Sequence, residues 1–198
     1  MRIAVTQRVE YLTKRDEYRD ALDHRVVQLI VKLGCLPILI PNSLETMKIE
    51  ELLKDTKLQG IILTGGNNIG DFKSRDKTET KLLNYSINNK IPLVGICRGM
   101  QLMNILQGGS LKSVQNHANS FHKVRFLTTG HSFLKNSFHN FSIDKLGYNF
   151  SIDAISEDGE VEAIKHNINP HYGIMWHPER EKKIDEQDTN IFKKIFKL

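Results

Sequence analysis

The sequence predicts an α/β fold in which a doubly wound, mostly parallel sheet is flanked by helices and the C-terminal half is rich in β-structure. Three observations predict this fold. Short apolar runs alternate with segments of helical periodicity up to Gly109, as in βαβ units. Glycine-rich turns follow two of these runs directly, where the loops of parallel sheets form ligand sites. Beyond Gly109 the pattern changes to short strands separated by turn residues.

The first half predicts four strands with helices between them. Continuous apolar runs such as the last of these strands are typical of strands buried on both faces of a parallel sheet. The predicted strands are residues 2–6, 36–40, 60–63 and 91–96. The predicted helices are residues 16–33, closed by Gly34; a helix capped by Ser43 that contains Met47, Leu52 and Leu53; a helix capped by Asp76 that runs to about residue 89; and residues 100–106, closed by Gly108 and Gly109.

The second half predicts strands joined by turns and a closing helix. The strands are residues 110–114, 122–128, 149–156, 161–165 and 172–176, and an amphipathic helix follows at residues 185–198. We find no internal repeat, low-complexity tract or linker in the sequence. It therefore predicts a single domain over residues 1–198.

Charge and composition narrow the classes of function. The formal net charge is +5, but the lysines and arginines are scattered among acidic residues, without a long basic run or an aromatic platform. This pattern favours a solvated surface over a nucleic-acid site and leaves an anionic small molecule open as a ligand. We expect neither a nucleic-acid partner nor a membrane partner.

The cysteines and the apolar segments predict the compartment. Cys35 and Cys97 are the two cysteines and lie on unrelated segments, so no disulfide framework is readable. The first ten residues lack an apolar stretch typical of a secretory signal, and the uncharged residues 33–44 are too short to span a bilayer. We expect a cytoplasmic protein.

The strongest candidate for chemistry is Cys97, which lies between a predicted strand and a predicted helix. Gly95 and Gly99 flank it in a Gly-x-Cys-x-Gly pattern, which predicts a tight elbow with the cysteine at its tip. A helix N-terminus favours a thiolate there, and the N–H of Arg98 is placed to face a developing oxyanion. An isolated cysteine after a core strand is more often a small buried apolar residue. The flanking strand and helix patterns favour a nucleophile here.

A glycine-rich loop follows the strand at residues 60–63. Its sequence, Gly-Gly-Asn-Asn-Ile-Gly at residues 65–70, matches neither the P-loop nor the dinucleotide fingerprint. This loop and Cys97 both follow carboxyl ends of parallel strands, so they are expected to share a crevice. Two interpretations stay open: a turn without a ligand, or a loop in which Gly65 and Gly66 supply a second backbone donor for an oxyanion.

A second candidate lies at the end of a predicted strand, in the sequence Trp-His-Pro-Glu at residues 176–179. Pro178 is expected to prevent a helix, so the segment should be extended with His177 and Glu179 on the same side. A carboxylate beside an imidazole fixes its tautomer and stabilises the imidazolium. Alone, this motif is typical of a surface turn. Together with Cys97 it predicts a nucleophile, a base and an orienting group.

These motifs resemble those of the class I glutamine amidotransferase superfamily, whose fold is flavodoxin-like. The arginine after the cysteine is similar to that of the γ-glutamyl hydrolase branch, peptidase family C26. The resemblance covers essentially the whole chain. It rests on Gly-Ile-Cys-Arg-Gly-Met-Gln at residues 95–101, Gly-Ile-Met-Trp-His-Pro-Glu at residues 173–179, Leu-Thr-Gly-Gly at residues 63–66, Asn-Ser-Phe-His at residues 136–139 and Asp-Gly-Glu-Val-Glu-Ala at residues 158–163.

The resemblance implies a thiol-dependent hydrolase of γ-glutamyl amides without a cofactor or metal. It implies Cys97 as nucleophile, His177 as base and then acid, and Glu179 as orienting group. The implied oxyanion donors are the N–H groups of Arg98 and of the Gly65-Gly66 turn. The implied substrate-binding residues, for the α-amino and α-carboxylate groups of a small-molecule γ-glutamyl substrate, are Gln101, Asn136, Ser137, Phe138 and His139. The sequence departs from the branch at Asn140, where a second histidine is common, so recognition of the leaving group there stays open.

Other residues attract weaker interpretations. His117, His122 and His131 lie in one β-rich stretch, but their spacing is not that of a zinc motif, so no metal site is expected. Cys35 is expected to be an inert buried thiol, and Arg8 a surface charge that lies close enough to contact a substrate.

Three functions stay open from the sequence. The first is a hydrolase that releases glutamate on its own, and the second is a glutaminase subunit that passes ammonia to a synthetase partner. The third is a non-catalytic binding module, against which the complete set of nucleophile, base and orienting group argues. The sequence carries no synthetase domain and has the Cys97-Arg98 pair, which favours the stand-alone hydrolase. Its oligomeric state is not predicted.

Overall fold

The computed structural model describes residues 1–44 and 46–198, and for residues 46 and 47 the backbone alone. The first half contains β1 (Arg2–Val5), β2 (Arg8–Leu12), β3 (Glu17–Ala21), α1 (His24–Lys32), β4 (Leu36–Leu39), α2 (Thr46–Asp55), β5 (Gly60–Leu63), α3 (Lys73–Asn89), β6 (Leu93–Ile96) and α4 (Arg98–Leu106). The second half contains β7 (Ser110–Ser113), β8 (Ala118–Phe126), β9 (Ser132–Phe138), β10 (Phe141–Lys145), β11 (Phe150–Ser156), β12 (Val161–His166), β13 (His171–Ile174) and α5 (Glu186–Phe196).

Among the described residues, nine strands form one sheet in the order β4-β1-β5-β6-β13-β12-β11-β8-β9. The strands from β4 to β13 run parallel to their neighbours, and those from β13 to β9 run antiparallel. The predicted α/β fold, with a β-rich second half, is confirmed. Ile61, Val94 and Ile174 are fully buried in the central strands, which explains their continuous apolar sequence. None of the described helices is long and apolar enough to cross a membrane.

The prediction of a helix over residues 16–33 is wrong in its first part. Residues 17–21 form β3, which pairs with β2 in an antiparallel hairpin. The rings of Tyr11 and Tyr18 pack across the hairpin with centroids 4.7 Å apart, a cross-strand contact that compensates for the exposure of Tyr18. The helix begins only at His24. Asp23 is its N-cap, because the Asp23 side chain accepts a hydrogen bond from the N–H of Arg25 at 3.0 Å.

The predicted helix caps differ from the observed ones. The helix expected after Ser43 begins at Thr46, so Ser43 lies in the turn ahead of it, and the predicted contribution of the Met47 side chain lies outside the described residues. Leu53 is buried and Leu52 partly buried, as expected of that helix. Asp76 is not a cap because α3 begins earlier, at Lys73. Its carboxylate instead accepts a hydrogen bond from the N–H of Gly70 at 3.0 Å.

Strands β9 and β10 are absent from the sequence prediction. The cause in β9 is a run of three buried polar residues, Lys135, Asn136 and Ser137, which hides the alternation that identifies a strand. Lys135 is buried because its ammonium group bonds to Asp188 at 2.9 Å and also to Asp185. Since β9 forms one edge of the sheet, these polar residues lie at the border of the cleft described below.

Candidate active site

Cys97 lies at the strained turn between β6 and α4. Its backbone has φ 51° and ψ −105°, a conformation that side-chain-bearing residues rarely adopt, and its N–H donates to the carbonyl of Ile174 at 2.7 Å. The prediction that Gly95 and Gly99 make the turn is wrong in detail, because neither has a positive φ. They permit close packing instead: a Cβ on Gly99 would lie 2.3 Å from the Leu63 carbonyl oxygen. The elbow strain is therefore carried by the cysteine itself.

His177 and Glu179 form a buried pair after β13. The Nδ1 atom of His177 lies 2.7 Å from Oε1 of Glu179. The segment is not extended as predicted, because Pro178 occupies the first position of a short 3₁₀ helix, a place where its missing N–H is no loss. The side chain of Asn136 holds the histidine from behind, accepting from its N–H at 2.9 Å and donating to its carbonyl at 2.8 Å.

The nucleophile candidate and the histidine meet at Gly65. A Cβ built on Gly65 would lie 2.6 Å from Cε1 of His177 and 3.5 Å from Cβ of Cys97, so the three residues enclose one small space. Burial alone would lower the pKa of His177, but the negative charges of Glu179 and Cys97 outweigh it and raise this pKa to about 9. The structure thus brings Cys97, His177 and Gly65 together, and it favours an imidazolium on His177 beside the sulfur of Cys97.

The glycine loop after β5 is oriented by Arg75, a buried residue of α3. Its Nη2 atom donates to the carbonyl oxygens of Thr64 and Gly65 at 2.8 and 3.0 Å, and its Nη1 atom donates to that of Gly66. In a planar trans peptide, the N–H points opposite to the carbonyl. The N–H groups of Gly65 and Gly66 therefore point away from Arg75, and neither has an acceptor among the described residues. Beside Cys97, such groups are suited to bind an oxyanion.

Arg98 joins this loop to the elbow through a buried network of charges. Its guanidinium, 2% exposed, forms ion pairs with Glu79 and Asp76. Glu79 also pairs with Arg75 at 3.0 Å, so one carboxylate connects the arginine after the nucleophile with the arginine that holds the glycine loop. Because Arg98 is the first residue of α4, its N–H has no acceptor within the helix.

Sequence reasoning missed Arg75 and Glu79 as parts of this site. Charged residues on a helix are ordinarily solvated, and their i, i+4 spacing is common on exposed faces. The buried face of α3 contains few apolar residues and includes the fully buried Arg75 and Glu79. This low apolar content was the signal in the sequence that polar residues of the helix are buried.

A cleft of about 270 Å³ opens beside Cys97. The predicted residues Gly66, Arg98, Gln101, Phe138 and His139 line it, as does Asn140. Gln101 donates to the carbonyl of Phe141 at 2.9 Å, which fixes its side chain at the cleft wall. The side chains of the predicted residues Asn136 and Ser137 form hydrogen bonds behind that wall. Asn136 donates to the carbonyl of His177, and Ser137 donates to the carbonyl of His117. Neither residue lines the cleft, since Asn136 is 2% and Ser137 0% exposed.

The remaining candidates lie at the edges of the site or away from it. Arg8 is half exposed, pairs with Glu10 and contributes to a small crevice that also includes Gly66 and His177. Cys35 is buried, and burial raises the pKa of its thiol, as expected of an unreactive residue. A larger cavity of 810 Å³ lies between the antiparallel strands and α5, and it contains none of the predicted site residues.

The sequence and the fold correspond to those of a known family. The model of the glutamine amidotransferase class-I family matches residues 16–198. The chain belongs to the class I glutamine amidotransferase family. The resemblance of the sequence to the class I glutamine amidotransferase superfamily is thereby confirmed. A γ-glutamyl-CDP-amidate hydrolase of Campylobacter jejuni subsp. jejuni serotype O:2 is 35% identical over 147 residues, covering 71% of each chain.

This class I glutamine amidotransferase has further relatives. One subunit of the glutamine-hydrolysing GMP synthase of Methanocaldococcus jannaschii is 29% identical over 164 residues, which cover 79% of this chain and 81% of that protein. A solved structure from Thermoplasma acidophilum, provisionally assigned to the same GMP synthase component, has a TM-score of 0.74 at 21% identity and covers 100% of this chain and 92% of that chain. The family and the hydrolase relative support amide hydrolysis as the activity.

Proposed function

We propose that the protein is a thiol-dependent hydrolase that cleaves a γ-glutamyl amide to glutamate and a free amine or amidate. The observation that carries this proposal is the space shared by Cys97, His177 and Gly65, in which a carbonyl carbon would meet a sulfur, an acid–base group and backbone donors together. Glu179, 2.7 Å from His177, orients the imidazole.

The proposed reaction passes through a thioester. The Cys97 thiolate attacks the γ-carbonyl carbon, and the resulting oxyanion accepts hydrogen bonds from the N–H groups of Arg98 and the Gly65-Gly66 turn. The intermediate collapses by expelling the nitrogen, which takes a proton from the His177 imidazolium. Neutral His177 then removes a proton from water as the water oxygen attacks the thioester carbonyl. Collapse of this second intermediate breaks the C–S bond and restores the Cys97 thiolate beside the His177 imidazolium, and the released glutamate loses its carboxyl proton to solvent.

For the substrate, we propose a nucleotide-linked glutamyl amide. The name of the Campylobacter relative states γ-glutamyl-CDP-amidate, whose leaving group carries a diphosphate. Two arginines border the site: Arg8 lies against Gly66, and the Arg180 guanidinium lies 4.4 Å from the ring centroid of Phe138. Positive charge here suits a diphosphate. On this proposal the protein is cytoplasmic and acts in the synthesis of the phosphoramidate of a capsular polysaccharide.

A second candidate is a glutaminase subunit that delivers ammonia to a synthetase partner. It is favoured by the similarity to the Methanocaldococcus GMP synthase component over most of both chains. The two functions share Cys97 and His177 and differ in the leaving group. A third candidate, hydrolysis of another γ-glutamyl amine, differs from the first only in the groups that would contact the leaving group around Asn140.

The test is glutamate release by the purified chain, without a partner, from γ-glutamyl-CDP-amidate, glutamine and γ-glutamyl-aminobutyrate. We expect the largest kcat/KM for the nucleotide substrate, and no release by Cys97→Ala. Cys35→Ala is the matched control and should retain activity because this thiol is remote from the cleft. Release by Cys97→Ala would remove Cys97 from the mechanism. Glutamine turnover that appears only with a synthetase added would favour the glutaminase function.

A further inference from the structure

A cluster of three histidines and one glutamate lies behind the cleft wall and takes no part in the proposed reaction. His117 precedes β8, His122 lies in β8, His139 follows β9, and Glu162 lies in β12. His117 and His139 are 3% exposed or less, and Glu162 is fully buried. Four side chains from separate segments therefore converge in the antiparallel half of the sheet.

The distances within this cluster are those of ligands around one metal ion. Oε1 of Glu162 lies 3.5 Å from Nδ1 of His117, 3.2 Å from Nε2 of His122 and 3.4 Å from Nε2 of His139. Nδ1 of His117 lies 3.2 Å from Nε2 of His139. Ligands about 2.0–2.1 Å from a tetrahedral zinc ion are about 3.3 Å from one another. Four of the six distances between these ligands are thus close to those of such a tetrahedron. The group whose ligand atoms all lie within 4.8 Å of one another is His117, His122 and Glu162, so His139 has to move toward His122 to complete the site.

The carboxylate at the centre of the cluster is not satisfied by hydrogen bonds. Despite the short distances, both oxygens of Glu162 and Nε2 of His122 lack a hydrogen-bond partner of acceptable geometry among the described residues. A fully buried carboxylate without partners is costly. A cation bound between these ring nitrogens and the carboxylate would satisfy both. The ligand atoms of His117, His122 and Glu162 all lie within 4.8 Å of one another.

The outer contacts of the histidines are also those of metal ligands. Nε2 of His117 lies 2.9 Å from a carboxylate oxygen of Asp158, and Nδ1 of His139 lies 3.0 Å from the carbonyl oxygen of Phe141. A metal-bound histidine ordinarily donates its other ring N–H to a carboxylate or a backbone carbonyl, which fixes its tautomer. When both residues are neutral, this leaves their inward-facing nitrogens unprotonated and able to bind a metal ion.

We infer that His117, His122, His139 and Glu162 bind one zinc ion, which fixes the antiparallel strands behind the cleft. Three imidazoles and one carboxylate in a tetrahedral arrangement suit Zn²⁺ among the common divalent cations. All four coordination positions are filled by protein, as in structural rather than catalytic zinc sites. The ion would tie β8 and β12 to the end of β9, and so hold the backbone of residues 136–138 in place beside Cys97.

A metal-free cluster is the competing interpretation. In that case Glu162 and Asp158 stabilise a proton on His117, since the two nearby carboxylates outweigh burial and raise the pKa of His117 to about 9. The cluster would then be a buried ion pair without affinity for zinc. The two interpretations differ in metal content, which is measured directly.

The experiment measures zinc bound to the full-length chain, purified without a metal-affinity tag and dialysed against metal-free buffer. The Cys97→Ala variant is analysed in parallel because Cys97 and His177 are themselves capable of binding zinc. We expect about one zinc ion per chain in both proteins. A chelator should remove it, and zinc chloride at one hundred times its Kd should raise Tm by about 5–10 °C. Cobalt(II) in its place should give the intense visible absorption of a tetrahedral site.

Variants locate the ion. His122→Asn and Glu162→Gln should lose stoichiometric zinc and the Tm response to zinc chloride, whereas His131→Gln, at an exposed histidine of the same stretch, should retain both. If Glu162→Gln does not fold, the measurements on the unsubstituted chain and on Cys97→Ala still decide. Less than about a tenth of a zinc ion per folded chain with no Tm response to zinc chloride would overturn the inference. Zinc lost with Cys97→Ala alone would overturn it too.

Discussion

Replacing Gly65 by alanine tests the geometry of the site without removing a reacting group. The added methyl would lie 2.6 Å from Cε1 of His177 and 3.5 Å from Cβ of Cys97. Carbon atoms in contact are ordinarily about 3.5–4.0 Å apart, so the imidazole must move by about 1 Å or the loop must shift. The backbone of Gly65 has no positive φ, so alanine meets no conformational strain of its own there. The substitution therefore acts through the crowding alone.

The expected loss is large for a single methyl group. A displacement of about 1 Å in a reacting group lowers turnover by about 100-fold. If the loop moves instead, the N–H donors of Gly65 and Gly66 move with it, and loss of one oxyanion donor costs about 2.7–4 kcal/mol, or about 10²–10³ in kcat. Either response predicts a kcat reduced by about 10²–10³, with a smaller change in KM.

The assay is steady-state glutamate release from the best substrate of the panel, together with the Tm of each variant. Gly130→Ala is the control: Gly130 has φ +72° with open space around it, so alanine should cost about 1–2 kcal/mol of stability while turnover stays normal. A folded Gly65→Ala protein whose kcat lies within about threefold of that of the unsubstituted enzyme would refute our conclusion that Gly65, His177 and Cys97 enclose one reaction space.

Substitutions at three further residues test charged and titratable groups. Arg75→Met should leave three loop carbonyls without their donor and lower kcat by at least about tenfold, and Arg75→Lys should recover part of that loss; equal kcat in all three proteins would exclude a positioning role. Glu179→Gln should move the NMR titration midpoint of His177 from about 9 to a lower pH, and an unchanged midpoint would contradict the assigned cause. Burial lowers the pKa of His171 to about 4, so the unfolded chain binds a proton at this residue more readily than the fold does, and stability falls below pH 6.5. His171→Gln should reduce the loss of unfolding free energy between pH 6.5 and 4 by up to about 3 kcal/mol, measured by urea unfolding. An unaltered loss would contradict this role of His171.

The sequence predicts the parts of the site that depend on neighbours along the chain. Cys97 was identifiable because a strand, an elbow and a helix follow one another within a few residues, and the structure places them so. The pair of His177 and Glu179 was identifiable because the residues are two apart. Its backbone was mispredicted, since proline begins a short helix as readily as it ends one. The side chains meet in either conformation.

Contacts between distant segments escaped prediction for a physical reason. Arg75 and Glu79 are polar residues whose burial depends on Arg98 and on the loop carbonyls, and no periodicity encodes these partners. The hairpin of β2 and β3 is stabilised by contacts between its two strands. The sequence of β3 alone resembles that of a helix, so these contacts were not predicted. The residues of the histidine cluster span positions 117–162, and only His117 and His122 are close in sequence, so their convergence is not readable from spacing.

The place of β13 in the sheet has a consequence for biosynthesis. Among the described strands β13 comes last in the chain, yet it lies between β6 and β12, and it pairs residue for residue with β6, which precedes it by 78 positions (171 minus 93). A nascent chain on the ribosome thus carries the thiol long before the imidazole is translated, and the two halves of its sheet have open edges prone to pairing wrongly. On the proposed mechanism, hydrolysis requires β13 and the His177 that follows it, so shorter nascent chains are inactive as well as vulnerable to aggregation.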